Sequence, residues 1–190
     1  MRGACGGSRS STGAQWPEPD SLARMHDDTE LTRLAAEVGD RLREAGMHLV
    51  TAESCTGGWI AKCCTDVPGS SAWFDCGYVT YSDAAKVRDL GVDAKTIETQ
   101  GAVSSPTVEE MAMGALRLTE ADIAVAVSGI AGPTGAVASK PVGTVWFAVA
   151  QRRGVSIESN CRVKFFKGDR DAVRRKSVEF ALGMVRAIEL

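Results

Sequence analysis

The five residues 123–127, Ile-Ala-Val-Ala-Val, form a run without a single polar side chain. A strand with one face in water alternates polar and apolar residues, so a continuous apolar run predicts a strand that is covered on both faces. Helical patterns that begin near Thr29 and near Pro106 supply apolar faces to cover it. We therefore expect three layers, with helices on both faces of a central sheet.

The remaining strands predict the type of sheet. Apolar strands at residues 47–53 and 76–82 alternate with helical patterns, which is typical of parallel strands in an α/β fold. Residues 144–151 predict a strand, residues 152–154 a turn, and residues 155–166 an exposed antiparallel partner. The predicted fold class is α/β, a three-layer α/β/α sandwich with a mixed, mainly parallel sheet and an antiparallel edge hairpin.

Domain organisation and partners follow from composition. Residues 1–24 are rich in Gly, Ser and Arg without periodicity, which predicts a disordered tail, and residues 25–190 suffice for one domain. A net charge of −2 creates no field that attracts nucleic acid, and no apolar run has a membrane helix's length. The six cysteines match neither a disulfide framework nor a zinc site, so we expect reduced thiols, a cytoplasmic protein and no metal.

Ser54 is a candidate nucleophile because it follows a predicted strand and precedes a predicted helix. Its hydroxyl would stand beside a helix N-terminus, where amides near Thr56 and Gly57 could hold an oxyanion. Gly57 and Gly58 would let a substrate approach the backbone. Two alternatives are open at this point: Ser54 only caps the helix, or Cys55 is the nucleophile because a helix N-terminus lowers a thiol pKa.

A serine nucleophile needs a base, and neither histidine is suitably placed. His48 lies on the same strand as Ser54, roughly 20 Å away at about 3.3 Å per residue, and His26 borders the tail. Lys86 is the best remaining candidate if burial lowers its pKa from about 10.4 toward neutrality. Tyr81, at the end of the preceding strand, could relay or orient the proton. The alternative for Lys86 is that it is an ordinary lysine on the solvated surface.

Residues 128–142 contain several glycines and prolines and predict a long irregular loop, which in a compact domain is usually functional. Five runs in order carry a family resemblance, at residues 51–58, 78–86, 101–104, 128–133 and 140–145. Together they resemble the CinA C-terminal domain family over about residues 29–188. The family includes stand-alone amidases that convert nicotinamide mononucleotide to nicotinate mononucleotide and ammonia without a metal.

The resemblance implies that residues 25–190 form an amidase domain with Ser54 as the nucleophile and Tyr81 and Lys86 as its activating pair. It also implies a pyridine nucleotide as the partner and no cofactor. The predicted substrate-binding residues are Cys55, Thr56, Gly57, Gly58, Gly129, Gly132, Pro133 and Gly135. A homo-oligomer is expected, with Trp59, Trp73 and Trp146 able to serve an interface or the core. The alternative function is a non-catalytic module that binds pyridine nucleotides.

Overall fold

A computed structural model describes residues 28–190, so the tail predicted at residues 1–24 lies outside the described residues. In the described part, five strands form one mixed sheet in the order β2-β1-β3-β4-β5. The strands are β1 Leu49–Glu53, β2 Phe74–Val79, β3 Ile123–Gly129, β4 Thr144–Arg153 and β5 Ser156–Phe165.

Strand directions agree with the predicted sheet. Strand β1 pairs in parallel with both β2 and β3, while β4 pairs antiparallel with both β3 and β5. Four of the five strands therefore point the same way, and β4 with β5 forms the antiparallel hairpin at one edge. The predicted α/β class with a mixed sheet is confirmed.

Helices cover both faces of this sheet. They are α1 Thr29–Ala45, α2 Trp59–Thr65, α3 Asp83–Leu90, α4 Ala94–Gln100, α5 Ser105–Arg117 and α6 Arg170–Arg186. Helices α1, α2 and α6 pack into one core cluster, and α5, with Leu90 of α3 and Ile97 of α4, packs into the other. The three predicted layers are therefore present.

Strand β3 lies at the centre and is the apolar run that predicted the fold. Its residues 123–127 are all fully buried. Ile123, Val125 and Val127 face the cluster of α1, α2 and α6, whereas Ala124 and Ala126 face α5. Because alternate side chains of a strand point to opposite faces, the larger residues fill one layer and the alanines let α5 approach closely on the other.

Several predicted boundaries differ from the structure by one to three residues. Strand β2 ends at Val79 rather than at 82, and α5 begins at Ser105, one residue before Pro106, with Ser104 as its cap. Helix α4 was not predicted, because its sequence has only Ile97 packed against the core and so lacks an apolar stripe. Ser82 caps α3 by accepting a hydrogen bond from the Ala85 N–H.

The fold brings strand ends and loops together at one edge of the sheet. Strands β1, β2 and β3 run in parallel, so their carboxyl ends lie side by side, and the N-terminal part of α6 reaches the same edge through Arg174. Trp73 is fully buried, while Trp59 and Trp146 are partly buried and pack against the core of this chain. Between residues 28 and 190, no helix is both long enough and apolar enough to cross a bilayer.

Candidate active site

Ser54 and Lys86 are in direct contact inside the protein. Ser54 follows β1 directly, and its N–H extends the pairing with β3 by donating to the Val127 carbonyl at 3.0 Å. Lys86 lies on α3, and its Nζ is 3.1 Å from Ser54 Oγ. The exposed fraction is 8% for Ser54 and 1% for Lys86. Two residues 32 positions apart in the sequence thus form one buried polar pair.

The surroundings of Lys86 lower the pKa of its amine. Burial lowers the pKa of Lys86 below its ordinary value of 10.5, while the negative charge of Asp83 and, once ionised, the Cys55 thiol act in the opposite direction. Its Nζ also lies 2.9 Å from the Thr80 carbonyl oxygen and 3.3 Å from that of Tyr81. A neutral amine has two N–H donors and one lone pair, so the two carbonyls can accept the donors and leave the lone pair for the Ser54 hydroxyl proton.

Tyr81 contacts this pair through its backbone and not through its phenol. The phenol oxygen accepts a hydrogen bond of 2.9 Å from Arg170 Nη2, and 60% of the side chain is exposed. Among the described residues, no hydrogen bond joins the phenol to Ser54 or Lys86. The phenol of Tyr81 was predicted to relay the proton, but its oxygen accepts a hydrogen bond from Arg170 instead.

Glu53 is a site residue that sequence reasoning missed. Its carboxylate is fully buried at the end of β1 and faces the first turn of α2, where a negative charge is favoured by the helix dipole. It accepts hydrogen bonds from the hydroxyls of Thr51 and Thr56 and from the N–H groups of Gly58, Ile60 and Ala61. The available signal was an acidic residue that ends an otherwise uncharged strand four residues before a glycine pair.

This carboxylate fixes the loop that carries the nucleophile and limits which amides are free. The Gly58 N–H donates to Glu53, and the Gly57 N–H donates to the Ser54 carbonyl at 3.0 Å. Gly57 and Gly58 both have positive φ, 65° and 90°, which only glycine adopts readily. Within residues 28–190, the Thr56 N–H has no acceptor, so of the two amides predicted to hold an oxyanion only that of Thr56 is available.

Cys55 does not have the activated thiol that its position suggested. The side chain is 5% exposed, and burial raises the pKa of the Cys55 thiol to about 12, with a further rise from the Glu53 carboxylate. The helix N-terminus was expected to lower this pKa, but Glu53 already satisfies its amides and burial outweighs the dipole. The thiol is thus protonated at neutral pH.

Two arginines of α6 close the site and were also missed. Arg174 donates from Nε to the Cys55 carbonyl at 3.1 Å and from Nη2 to the Thr56 carbonyl at 2.8 Å, and it stacks on Trp59. Arg170, one turn earlier, donates from Nη1 to the Gly132 carbonyl at 2.8 Å. Their spacing of four residues places them on one helix face, which was the only signal in the sequence.

The predicted residues of the long loop have different surroundings. Gly132 has a φ of 80°, is joined to Pro133 by a cis peptide bond, and is linked to the site through Arg170. Gly129 faces Val145 so closely that a Cβ atom would lie 2.7 Å from its side chain, which indicates a packing role. Pro133 and Gly135 are exposed, and their contact with a substrate stays a prediction. In the described range, no group of three or more His, Cys, Asp or Glu side chains could hold a metal ion.

Glu53→Gln is expected to lower the free energy of unfolding by about 2–4 kcal/mol. The glutamine amide has one acceptor oxygen where the carboxylate has two, and its NH₂ group would face backbone N–H donors of α2. Urea unfolding at neutral pH measures this change. The matched control Glu98→Gln, at an exposed helical position, should change it by less than about 0.5 kcal/mol. A loss for Glu53→Gln no larger than the control's would contradict the anchoring role.

Comparisons with known proteins extend these observations. The sequence model of the CinA C-terminal domain family matches residues 31–188 of this chain. The nicotinamide-nucleotide amidohydrolase PncC of Escherichia coli (strain K12) is 55% identical over 155 residues, which cover 82% of this chain and 92% of that protein. The Pseudomonas putida protein of the same name is 51% identical over 152 residues, covering 80% and 92%. A crystal structure of competence damage-inducible protein A from Klebsiella pneumoniae is 43% identical, with a TM-score of 0.78, covering 82% and 94%.

Proposed function

This chain belongs to the CinA C-terminal domain family, and we propose that it hydrolyses the carboxamide of nicotinamide mononucleotide to give nicotinate mononucleotide and ammonia. Support comes from the two relatives above, whose names state amidohydrolase activity on a nicotinamide nucleotide. The observation that carries the proposal is the buried hydrogen bond between Ser54 and Lys86. A hydroxyl held against an amine with a lowered pKa is suited to nucleophilic attack on an amide.

In the proposed first step, neutral Lys86 takes the Ser54 proton directly while Ser54 Oγ attacks the carboxamide carbon. The Thr56 N–H stabilises the oxyanion of the tetrahedral intermediate. The C–N bond then breaks, and Lys86 returns the proton to the departing nitrogen, which leaves as ammonia. Because burial disfavours the charged amine, it also favours this return of the proton.

The second half of the reaction releases the acid. Water attacks the ester between Ser54 and the nicotinoyl group, Lys86 accepts the water proton, and that proton goes back to Ser54 Oγ as the ester bond breaks. Tyr81 contributes its backbone carbonyl, which orients the amine together with that of Thr80. No relay through the phenol is needed, since the amine contacts the serine hydroxyl directly.

The alternative, a non-catalytic module, would bind the pyridine nucleotide at the N-terminus of α2 and at the glycine-containing loop after β3. Three backbone amides at that helix N-terminus, those of Gly58, Ile60 and Ala61, already donate to Glu53. The buried carboxylate would also repel a phosphate. These contacts favour the enzyme over the module.

Purified protein mixed with nicotinamide mononucleotide in the presence of a chelator tests the proposal. We expect stoichiometric release of ammonia and nicotinate mononucleotide. A coupled assay measures the ammonia, and mass spectrometry identifies the nucleotide product. Calorimetric binding of the nucleotide without release of ammonia would favour the binding module instead.

We further propose a cytoplasmic homo-oligomer. The five cysteines in residues 28–190 are free thiols, which suits a reducing compartment. Exposed apolar side chains such as Val79 and Phe165 are available for a subunit contact, whereas the three tryptophans pack on their own core. Light scattering of the purified protein gives the oligomeric state.

A further inference from the structure

An exposed aromatic ring lies at the rim of the buried Ser54–Lys86 pair. The Tyr81 carbonyl oxygen and Ser54 Oγ both contact Lys86 Nζ, so the backbone of Tyr81 is within two hydrogen-bond lengths of the nucleophile. The side chain nevertheless leaves 60% of its surface in solvent. The proposed reaction uses only the backbone carbonyl group of Tyr81, so the ring has no role in it.

The ring is held in place although it is exposed. Arg170 Nη2 donates to the phenol oxygen at 2.9 Å, and Nη1 of the same guanidinium donates to the Gly132 carbonyl at 2.8 Å. This bridge joins the end of β2 to the glycine-containing loop after β3. A ring fixed in this way loses little conformational freedom when a ligand binds to its face.

The proposed substrate has a matching group at the required place. Its carboxamide carbon is bonded directly to a flat pyridine ring, so attack by Ser54 fixes that ring within a few bond lengths of the nucleophile. In nicotinamide mononucleotide the ring nitrogen is alkylated and the ring carries a positive charge. The face of a phenol ring attracts a flat cation through its quadrupole.

We infer that the Tyr81 ring stacks on the pyridinium ring of the substrate, which makes Tyr81 a specificity-determining residue. The inference rests on the proposed function and gives the side chain a binding role in place of a proton relay. Arg170 is then a positioning residue that orients the ring.

The two roles of Tyr81 predict different results for two substitutions. Tyr81→Phe keeps the ring but removes the hydroxyl, whereas Tyr81→Leu keeps an apolar side chain but removes the ring. Affinities are measured by calorimetry in a Ser54→Ala background, so that turnover does not interfere. Ribose 5-phosphate, which lacks the pyridinium ring, is the control ligand.

We expect Tyr81→Leu to raise the Kd for nicotinamide mononucleotide about tenfold and the Kd for ribose 5-phosphate less than about twofold. Tyr81→Phe should raise the nucleotide Kd only about two- to threefold, through loss of the Arg170 contact. With Ser54 intact, Tyr81→Phe should keep at least about a third of kcat.

Either of two outcomes would overturn the inference. One is a Tyr81→Leu variant that binds the nucleotide as tightly as the parent protein does. A variant with a changed oligomeric state but unchanged binding counts as the same outcome. The other is a Tyr81→Phe variant whose Kd for the nucleotide rises as far as that of Tyr81→Leu, because the hydroxyl and not the ring would then carry the binding. Failure of the wild-type protein to release ammonia would instead remove the proposed function, and the Kd values would still decide whether the ring binds the pyridinium.

Discussion

Replacing Ser54 with alanine is expected to lower kcat/KM for nicotinamide mononucleotide by at least about 10⁴-fold, because the covalent step loses its nucleophile. The substitution removes one buried oxygen whose only side-chain hydrogen-bond partner within residues 28–190 is Lys86. The fold should therefore persist, and calorimetry should give a Kd for the nucleotide within about threefold of wild type. Ammonia release, measured over hours at high protein concentration, sets the residual rate.

Cys55→Ala is the matched control for this prediction. It changes the neighbouring side chain, also by one heavy atom, at a thiol that burial keeps protonated at neutral pH. Its kcat/KM should fall by less than about tenfold, the cost of a small cavity beside the nucleophile. If Cys55→Ala were inactive and Ser54→Ala retained most of the activity, the thiol would be the nucleophile and the assignment of Ser54 would be wrong.

Lys86→Met is expected to lower kcat/KM by about 10²- to 10⁴-fold, because it removes the general base while keeping a long apolar side chain in the buried position. Substrate affinity should change much less. A variant with near-normal kcat would exclude Lys86 as the base.

The same substitution has a predicted effect on stability that depends on pH. Burial makes the pKa of Lys86 lower in the folded protein than its ordinary 10.5, so protonation favours unfolding. This penalty is at its full value below the lowered pKa, declines as pH rises from there toward 10.5, and is absent above. Methionine has no such penalty, so wild type should gain stability relative to Lys86→Met as pH rises through that window.

Urea unfolding at a series of pH values measures this difference in unfolding free energy. The variant also leaves the Thr80 and Tyr81 carbonyls without their donor, which costs stability equally at every pH and does not alter the slope. Lys95→Met, at an exposed position, is the control and should differ from wild type by an amount that does not vary over the same range. A pH-independent difference for Lys86→Met would contradict a lowered pKa.

The sequence predicted the layers and the meeting of Ser54 with Lys86 for simple geometric reasons. An apolar run such as 123–127 has few alternatives to a strand buried on both faces, and it is fully buried. Parallel neighbours β1 and β2 end at the same edge, so residues just beyond both ends, Ser54 and the start of α3, are brought together by topology alone. Such contacts depend on strand order and not on side-chain detail.

Details that depend on side-chain direction could not be predicted from a pattern. Glu53 could have pointed to either face of β1, and only the finished turn shows its carboxylate satisfying the first amides of α2. Tyr81 lies beyond the end of β2, where the alternation of a strand no longer fixes direction, so its phenol could not be assigned. Arg170 and Arg174 belong to a helix far along the chain, and their partners are set by how α6 packs.

A titration of the Lys86 amine in the folded protein tests the central claim most directly. Isotope-labelled lysine side chains are followed by NMR as pH rises, and the signal missing from Lys86→Met identifies Lys86 Nζ. We predict that this signal titrates clearly below 10.5 and below those of the exposed lysines, as a buried base for Ser54 requires. A Lys86 signal that titrates at 10.5 or above, together with the surface lysines, would contradict the account.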